Sequence, residues 1–407
     1  MREDERIITA IDLGSSKTVA LIARVLHPEE IEIIGLGVAA ARGIKAGAVT
    51  NIEQTVRSIK ESVEEAELMS AATVGSVSIN ISGKHVKGDN STGVIAITNK
   101  DRIVSSQDIM RVIDAARAIR IPADQEILHV LSREFKVDDQ NGIKDPTGMV
   151  GVRLESEVHI VTGSATHLQN TEKAVNEAGL HVHDKILSSL ASSHAFLTEG
   201  EKELGVAIVD IGAGVIDLII YVDGGVAYSS TICIGGQHLT QDISIGLKTP
   251  IEAAEMLKKK DGYAIASEID PSEMIEVPSV GGREPRVVTR KELAEIMEAR
   301  MRELLELIDH ELIKSGKKGI LAGGVIFTGG GSLVEGLIPL ADEVLQVGAS
   351  VGFPKGLLGI ADKISSPVFS TAVGMIHYGA KYGQEKQKTS MGKGILSKMK
   401  GWIQENL

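Results

Sequence analysis

The sequence predicts two related α/β lobes that face each other, because one strand-turn-strand plan is used twice. The first copy begins at residues 7–14 (IITAIDLG) and the second at residues 206–212 (VAIVDIG). Each is an apolar strand that ends in Asp-x-Gly, followed by a tight turn and two further strands. Glycine at such a turn permits a positive φ and lets a ligand approach the backbone. One such pattern is common, but two in register indicate a duplicated fold.

Length and composition fit an ordinary multi-lobed soluble protein. The chain has 407 residues, 43% of them hydrophobic and 24% charged, which is more than one compact core normally holds. A net charge of -12 excludes a nucleic-acid-binding role, because few phosphates could be neutralised. The single cysteine, Cys233, excludes an intramolecular disulfide and fits a reducing cytosol. Without a signal peptide or a long apolar run, any membrane contact is expected to be peripheral.

Helices and strands alternate around the duplication. Apolar residues at helical spacing, such as Ile52, Val56 and Ile59, predict the first helix. The predicted helices cover residues 52–69, 106–119, 170–179, 251–260 and 291–314, and further strands cover residues 77–82, 93–98, 126–137 and 325–331. The elements within residues 84–161 form a compact insert. A loop rich in Pro and Gly is expected at residues 271–285, and residues 381–392 have the composition of a linker.

Two aspartates, Asp12 and Asp210, stand at the ends of the duplicated strands. A carboxylate there is costly to bury without a cation or hydrogen-bond partners. Either one alone could cap its own glycine turn. The two together favour facing turns that hold a phosphate tail with Mg²⁺, which prefers carboxylate, water and phosphate oxygens. Asp12 and Asp210 are therefore candidate magnesium ligands, through water, and with Asp217 they are the candidate catalytic residues.

Glycine-rich and hydroxyl-rich motifs complete a candidate nucleotide site. Backbone N–H groups, hydroxyls and one ammonium suit phosphates, and bare backbone at a strand end suits a flat ring, although a tight strand-to-helix turn explains the last motif equally well. The candidate binding residues are Gly14, Ser15, Ser16, Lys17, Gly212, Ala213, Gly214, Gly329, Gly330, Gly331 and Ser332. Glu255 and Lys258 share one helix face, where they could bind a ribose and purine or form a solvated pair; spacing alone favours the pair.

The last fifteen residues, 393–407 (KGILSKMKGWIQENL), predict an amphipathic helix. Lysines and a glutamine lie beside or opposite its apolar face, and the chain's one tryptophan is part of that face. The face consists of Ile395, Leu396, Met399, Trp402 and Ile403. A helix docked on the body is the alternative, but the linker, the tryptophan and the lysines favour a helix lying in a membrane interface. One short helix binds modestly, so stable attachment needs several copies side by side.

The order of these motifs resembles the actin, Hsp70 and sugar-kinase ATPase superfamily. Within it the chain is similar to the FtsA cell-division family over nearly its whole length. The most specific likeness lies in residues 77–83 (VSINISG), 127–130 (ILHV) and 145–153 (DPTGMVGVR), which resemble the insert called 1C. The resemblance implies an actin-like two-lobed ATPase fold with an FtsA-type 1C insert and a C-terminal amphipathic helix. It divides the chain into subdomain 1A (1–83, 162–190 and 351–380), insert 1C (84–161), 2A (191–240 and 318–350), 2B (241–317), a linker (381–392) and the terminal helix (393–407).

The resemblance implies that the protein is an adaptor between a cytoskeletal filament and the membrane. Such a protein binds ATP with Mg²⁺ between its lobes, forms a homopolymer and lies on anionic lipid at the cytoplasmic face of the cell membrane, at the division site. It would hold the C-terminal tail of the tubulin-like protein FtsZ and recruit later divisome proteins through the insert. The tail is expected on residues 291–312, with Arg300 and Leu304 as contacts. The alternatives are a solvated face for Arg300 and a core position for Leu304.

Two departures from the superfamily pattern predict firm nucleotide binding and weak turnover. Val215 and Ile216 stand where relatives often have a hydroxyl residue in the second phosphate loop. Ser188 and Ser189 stand where some relatives carry a glutamate that could orient the attacking water. Proton transfer and water positioning each contribute about 10²–10⁴ in rate, so hydrolysis is expected to be slow.

Two competing interpretations share the nucleotide motifs. A small-molecule kinase or phosphatase of the superfamily needs a general base in a substrate pocket, and the insert shows no further acid–base constellation. The histidines His129, His159, His181 and His183 are scattered rather than paired at metal-ligand spacing. The other interpretation is a pilus-assembly actin homologue of the PilM type. The predicted terminal amphipathic helix favours the FtsA family over this one.

Overall fold

The first half of the chain builds one lobe and the insert. This computed structural model describes residues 6–27 and 30–389. The first elements are β1 Arg6–Leu13, β2 Lys17–His27, β3 Glu30–Ala40, β4 Ile44–Lys45, β5 Ala48–Val49, α1 Ile52–Ser70 and β6 Ser76–Ile81. The insert contains β7 Lys87–Ala96, α2 Ser106–Arg117, β8 Gln125–Val137, β9 Gln140–Ile143 and β10 Arg153–Ser164, and the chain continues with α3 Ala165–Glu177, β11 His181–Leu187, α4 Ser188–His194 and α5 Glu199–Leu204.

The second half builds the other lobe and then returns to the first. Its elements are β12 Val206–Ile211, β13 Ile216–Val222, β14 Gly225–Ile232, α6 Gly236–Gly246, α7 Ile251–Lys260, β15 Met274–Val277, β16 Arg286–Thr289, α8 Arg290–Lys314, β17 Val325–Thr328, α9 Leu337–Leu345 and β18 Ala349–Val351. The returning segment consists of β19 Leu357–Gly359, α10 Ala361–Ile364 and α11 Ser370–Thr389.

The two lobes share one sheet plan. The first lobe has the strand order β11-β6-β1-β2-β3-β19 and the second has β14-β13-β12-β17-β18. In each, an antiparallel three-strand meander (β1–β3 or β12–β14) is flanked by a strand parallel to its first member. All six residues of β12 are buried, as expected of a strand covered on both faces. The predicted duplication is confirmed.

Helix α8 forms the core of the second lobe. Its side chains Met297, Met301 and Ile308 are at most 1% exposed and pack in one cluster with β12, β13 and β17. The helix begins after Thr289, whose hydroxyl accepts the N–H of Glu292. That cap satisfies one of the free donors at the helix start, and the helix lies within one residue of its predicted start.

The insert is a separate layer with a core of its own. Its sheet has the order β7-β10-β8-β9, and α2 packs on it through Ile109, Val112 and Ile113. A reciprocal capping box between Ser105 and Asp108 begins α2. The insert leaves the first lobe after β6, and its strands β7, β8 and β10 also pack against β14 of the second lobe.

Several stretches differ from the sequence prediction. Strand β7 begins at Lys87 rather than at residue 93, and β17 ends at Thr328 rather than at residue 331. Helix α3 begins at Ala165 rather than at residue 170, because Leu168 continues its buried face. The expected loop at residues 271–285 contains β15, which pairs with β16. Helix α11 runs to Thr389, so residues 381–389 are helical rather than a linker. Gln, Glu and Lys are good helix formers, and the Arg6 guanidinium donates to the carbonyls of Gly379 and Ala380 in the preceding turn.

The predicted terminal helix at residues 393–407 lies outside the described residues. Within residues 6–27 and 30–389, no helix has both the length and the apolarity needed to cross a membrane.

Helices α4 and α11 cross at very close range, and they lie where the chain passes between the lobes. The crossing depends on Gly374 in α11, because a Cβ there would lie 1.7 Å from the carbonyl oxygen of Ala191 in α4. Backbone cannot give way as a flexible side chain can. The contact therefore permits only glycine at residue 374.

We expect Gly374→Ala to lower the free energy of unfolding by about 1–3 kcal/mol, the usual cost of overpacking, although alanine is the better helix former. Chemical denaturation of the full chain measures this change in the free energy of unfolding. Gly200→Ala in α5 is the matched control, since a Cβ there meets nothing within 4 Å; it should leave the stability equal or slightly higher. Equal stability of both variants would contradict the close crossing.

Candidate functional site: the cleft between the lobes

A cavity of about 600 Å³ lies between the two lobes. Both duplicated turns, the triple glycine after β17 and helix α7 contribute to its walls. The predicted binding residues that line it are Asp12, Gly14, Ser15, Ser16, Lys17, Asp210, Gly212, Ala213, Gly214, Asp217, Glu255, Lys258, Gly329, Gly330 and Gly331. The structure thus brings together residues that are far apart in the sequence.

The two turns have matching hydrogen bonds. The N–H of Gly14 donates to the Lys17 carbonyl at 3.1 Å, and the N–H of Gly212 donates to the Val215 carbonyl at 3.0 Å. The turns also approach each other, since a Cβ on Gly214 would lie 2.7 Å from Ser15 Oγ. Glycine at residue 214 therefore allows the lobes to close around the cavity.

Asp12 is held by Asn80, a residue of β6. Asn80 Nδ2 donates to Asp12 Oδ1 at 2.9 Å, and Asn80 Oδ1 accepts the N–H of Leu13 at 2.7 Å. Burial raises the pKa of Asp12 to about 7; nearby Lys17 opposes the shift, whereas Asp210 and Asp217 add to it. The side chain is fixed in place, but its negative charge is poorly compensated.

Asp210 is held by the two helices that cross at Gly374. Ser192 Oγ in α4 donates to Asp210 Oδ2 at 2.6 Å, and Thr371 Oγ1 in α11 donates to the same oxygen at 3.1 Å. Burial raises the pKa of Asp210, although these two hydroxyls and Lys17 oppose the shift. The first turn of a long helix such as α11 also favours a negative charge.

Asp217 bridges the lobes. Ser82, at the end of β6 in the first lobe, donates to both carboxylate oxygens at 2.7 Å, and Thr231 of β14 donates to Oδ1 at 2.6 Å. Asp217 is only 4% exposed. Burial raises its pKa to about 7 despite these hydroxyls, and Asp210 adds to the shift.

Lys17 is a cation that lowers the pKa of two of these carboxylates, Asp12 and Asp210. Its ammonium lies 4.2 Å from the centre of the Phe369 ring. Burial lowers the pKa of Lys17, although Asp12 and Asp210 act in the opposite direction. The Lys17 ammonium interacts with two of the three carboxylates, Asp12 and Asp210, so the cleft favours an additional cation.

The carboxylates do not form a metal cage by themselves. Among residues 6–27 and 30–389, no three His, Cys, Asp or Glu side chains come together to hold a metal ion. This arrangement fits Mg²⁺, which commonly keeps several waters and takes one or two carboxylates together with phosphate oxygens. Asp12 and Asp210 could act on such an ion through water.

Glu255 and Lys258 form an ion pair, as their spacing predicts, and the pair is part of the cavity wall rather than fully solvated. Lys258 Nζ donates to Glu255 Oε2 at 2.6 Å, to Thr240 Oγ1 at 2.8 Å and to the Gly236 carbonyl at 3.2 Å. Burial opposes ionisation of Glu255, but the hydrogen bonds from Lys258 and Thr240 outweigh it and lower the Glu255 pKa. The pair ties α7 to α6 beside the cavity.

Two of the three glycines, Gly329 and Gly331, are closely surrounded by other atoms, whereas Gly330 has free space beside it. A Cβ on Gly329 would lie 2.2 Å from Asp210 Oδ1, and one on Gly331 would lie 2.2 Å from a methyl carbon of Ile211. A Cβ on Gly330 would meet nothing within 4 Å, so this backbone faces the cavity. Ser332 does not line the cavity: its hydroxyl donates to the Gly329 carbonyl at 2.7 Å and fixes the turn.

The two predicted peptide contacts lie in different environments. Leu304 is fully buried in the core of the second lobe, so it is a core residue rather than a surface contact. Arg300 is partly exposed and pairs with Asp242 of α6 and with Glu303. The spacing along α8 identified the helix but not which face lies against the sheet.

Sequence reasoning missed the hydroxyl and amide residues that orient the aspartates. These residues are Asn80, Ser82, Ser192, Thr231 and Thr371. Their short polar side chains are common in turns and on surfaces, so the sequence does not distinguish them. Asn80 and Ser82 lie within residues 77–83, one of the stretches that carry the family resemblance.

Comparison with solved structures defines the class of protein. The chain superposes on the PilM-PilN type IV pilus biogenesis complex with a TM-score of 0.67 at 15% identity, covering 92% of this chain and 98% of that one. For MreB5 of Spiroplasma citri bound to ADP the TM-score is 0.55 at 12% identity, with 96% and 99% covered. The chain therefore has an actin-like fold, as predicted.

Sequence comparison then gives the family. Residues 207–374 match the family described as cell division protein FtsA, and residues 83–162 match the SHS2 domain inserted in FTSA. The chain is 40% identical over 415 residues to cell division protein FtsA of Pseudomonas aeruginosa, with 98% of each covered. It is 40% identical to that of Neisseria meningitidis over the full length of both. The chain belongs to the FtsA family of cell-division proteins, which confirms the resemblance.

The raised pKa of Asp217 predicts a pH-dependent effect of its removal. Between pH 4 and about 7 the folded protein holds a proton on Asp217 that the unfolded chain releases. This carboxyl therefore makes the free energy of unfolding fall as pH rises, by up to about 1.4 kcal/mol per pH unit. In the ligand-free protein we expect the melting temperature of Asp217→Asn to rise relative to the unmodified chain from pH 4 to pH 7.

The control is Asp139→Asn, which removes the same charge from an exposed turn of the insert. It should show the same melting-temperature difference at every pH. A pH-independent difference for Asp217→Asn as well would mean that its carboxyl titrates like an exposed one.

Proposed function

We propose that this chain is an ATP-binding adaptor that polymerises on the cytoplasmic face of the cell membrane and tethers FtsZ filaments there. The observation that carries the proposal is the cavity between the lobes, lined by both phosphate loops and by the open Gly330. Family membership supports the cell-division role, at the division site.

ATP with Mg²⁺ fits the chemistry of this cavity. The triphosphate would meet backbone N–H groups of the two turns, the Ser15 and Ser16 hydroxyls and the Lys17 ammonium. Mg²⁺ would supply the positive charge that the three buried carboxylates require. The adenosine would lie against Gly330, with Glu255 and Lys258 at its edge.

The remaining parts of the proposal concern partners. Copies of the chain associate through their faces, and the row of terminal helices at residues 393–407 holds the filament on anionic lipid. The FtsZ tail binds subdomain 2B, where Arg300 stays partly exposed. Later divisome proteins bind the insert. Support for self-assembly is indirect: one protein of similar fold is described as the MamK double helical filament, with a TM-score of 0.53 at 13% identity over 92% of this chain and 98% of that one.

Turnover of ATP is expected to be slow. Ser188 lines the cavity where some relatives carry a glutamate, and its hydroxyl already donates to the Ile81 carbonyl. Asp210 and Asp217 are the groups left to order an attacking water. ATP then acts mainly as a ligand that sets the angle between the lobes.

The alternatives fit less well. The likeness to PilM extends to the fold alone at 15% identity, whereas the FtsA relatives are 40% identical over nearly the whole chain. A small-molecule kinase would need a substrate pocket with its own general base. Outside the phosphate loops the carboxylates that line the cleft are Glu255, which pairs with Lys258, and Glu335, whose side chain is 73% exposed.

Blocking the open glycine tests the nucleotide site. Gly330→Leu places a side chain in free space inside the cleft, so the variant should fold but bind Mg·ATP at least tenfold more weakly, as measured by calorimetry. Gly348→Leu is the matched control, because a Cβ at this exposed glycine also meets nothing within 4 Å but lies outside the cleft. Equal affinity in both variants would place the nucleotide elsewhere.

Co-sedimentation with anionic vesicles tests the adaptor function. With ATP, the intact chain should pellet with vesicles and retain an added FtsZ tail peptide, whereas a chain ending at Thr389 should stay in the supernatant. Ile403→Glu should act like the truncation, because it places a charge on the apolar face. Gln404→Glu adds the same charge beside that face and should still bind. If all four proteins behave alike, the membrane-adaptor function is wrong.

A further inference from the structure

We propose that the insert senses whether the cleft is occupied, through Asp217 and strand β14 of the second lobe. The proposal rests on nucleotide binding in the cleft, as proposed above, and adds a route by which that binding is transmitted. The route consists of two hydrogen-bonded junctions at opposite ends of one strand segment, Ser229 to Thr231.

The outer junction joins the insert to β14 through a buried histidine. His159 of β10 is 1% exposed. Its Nδ1 lies 2.7 Å from Asn90 Oδ1 and its Nε2 lies 2.8 Å from Ser229 Oγ. An amide oxygen can only accept, so Nδ1 carries the proton and Nε2 accepts the Ser229 hydroxyl. Asn90 Nδ2 in turn donates to the Ala227 carbonyl at 3.0 Å.

The inner junction joins the same strand to the cleft. Thr231 lies two residues after Ser229, so both side chains project from the same face of β14. Thr231 donates to Asp217, and so does Ser82 of the first lobe. Ser82 directly follows the last residue of β6, just before the chain enters the insert. Asp217 therefore contacts both the root of the insert and the strand against which the insert packs.

The insert packs against β14 with little free space between them. A Cβ on Gly88 of β7 would lie 2.4 Å from Ser229 Oγ and 2.6 Å from His159 Nε2. A Cβ on Gly225 would lie 2.7 Å from Arg133 Cα in β8. A displacement of β14 must therefore move the insert or break the His159–Ser229 contact.

A nucleotide bound in the cleft would change the hydrogen bonds of the inner junction, those from Ser82 and Thr231 to Asp217. Both oxygens of Asp217 are engaged by hydroxyls, so a hydrated cation or a phosphate-bound water that draws on this carboxylate competes with Ser82 and Thr231. Loss or reorientation of those bonds shifts β14 relative to the first lobe. The insert, which is attached to both, then changes its contact with the second lobe.

Hydrogen exchange of the full chain tests the route. In the unmodified protein, adding Mg·ATP should change the exchange rates of amides in β7 several-fold. In Ser229→Ala, β7 should exchange faster already without nucleotide and respond little to Mg·ATP, while the affinity for Mg·ATP by calorimetry stays unchanged. A general loss of structure would instead lower the melting temperature and change exchange in every strand.

The matched control is Ser230→Ala, the neighbouring residue, whose side chain projects from the opposite face of β14. It should respond to Mg·ATP like the unmodified chain. The route is refuted if Ser229→Ala keeps the full β7 response, or if the unmodified chain binds Mg·ATP without any β7 response.

A ligand-free comparison separates this inference from the proposed function. If calorimetry detects no binding of Mg·ATP, the proposed function fails and the route is judged on Thr231→Val alone. Thr231→Val removes the hydroxyl donated to Asp217 at nearly constant volume. It should raise β7 exchange several-fold without nucleotide, and unchanged exchange would refute the coupling between the two junctions.

Discussion

The burial of three carboxylates between two lobes is the constraint on which the rest of the structure depends. Asp12 and Asp210 come from equivalent places in the duplicated meander, and Asp217 pairs with Asp210 on the neighbouring strand. Burial raises the pKa of each. Burying a charge is tolerated only when hydrogen bonds and counter-charges replace water. Each aspartate accordingly has its own hydroxyl or amide donor, and these donors come from β6, α4, α11 and β14.

These donors make the site a junction of the whole fold. Asp12 and Asp217 both bond to residues at the end of β6, and Asp210 bonds to both helices that cross between the lobes. The close approaches at Gly214 and Gly374 allow the elements to come near enough for such bonds. The geometry of the cleft and the packing between the lobes are thus set by the same residues.

The sequence predicted those features that recur or that depend on glycine. The two meanders were recognisable because their Asp-x-Gly ends repeat, and the actin-like fold followed from the order of the motifs. The orienting residues Asn80, Ser192 and Thr371 could not be found, because a lone polar residue gives no indication of which distant carboxylate it will face. The sequence leaves Leu304 open between a peptide contact and a core position, because spacing identifies a helix but not which partner covers each face. The composition of residues 381–392 predicts a linker because these residues are polar, but polar residues with long side chains also favour helices, and α11 continues to Thr389.

Helix α11 has one further consequence. It is unbroken from Ser370, next to the residue that bonds Asp210, to Thr389, a length of about 29 Å at 1.5 Å per residue. A straight rod of that length acts as a lever arm. A tilt of about 10° at its contact with α4, near Gly374, displaces the far end by roughly 4 Å. A small adjustment beside a buried carboxylate is thereby magnified at the point from which the chain continues to residues 393–407.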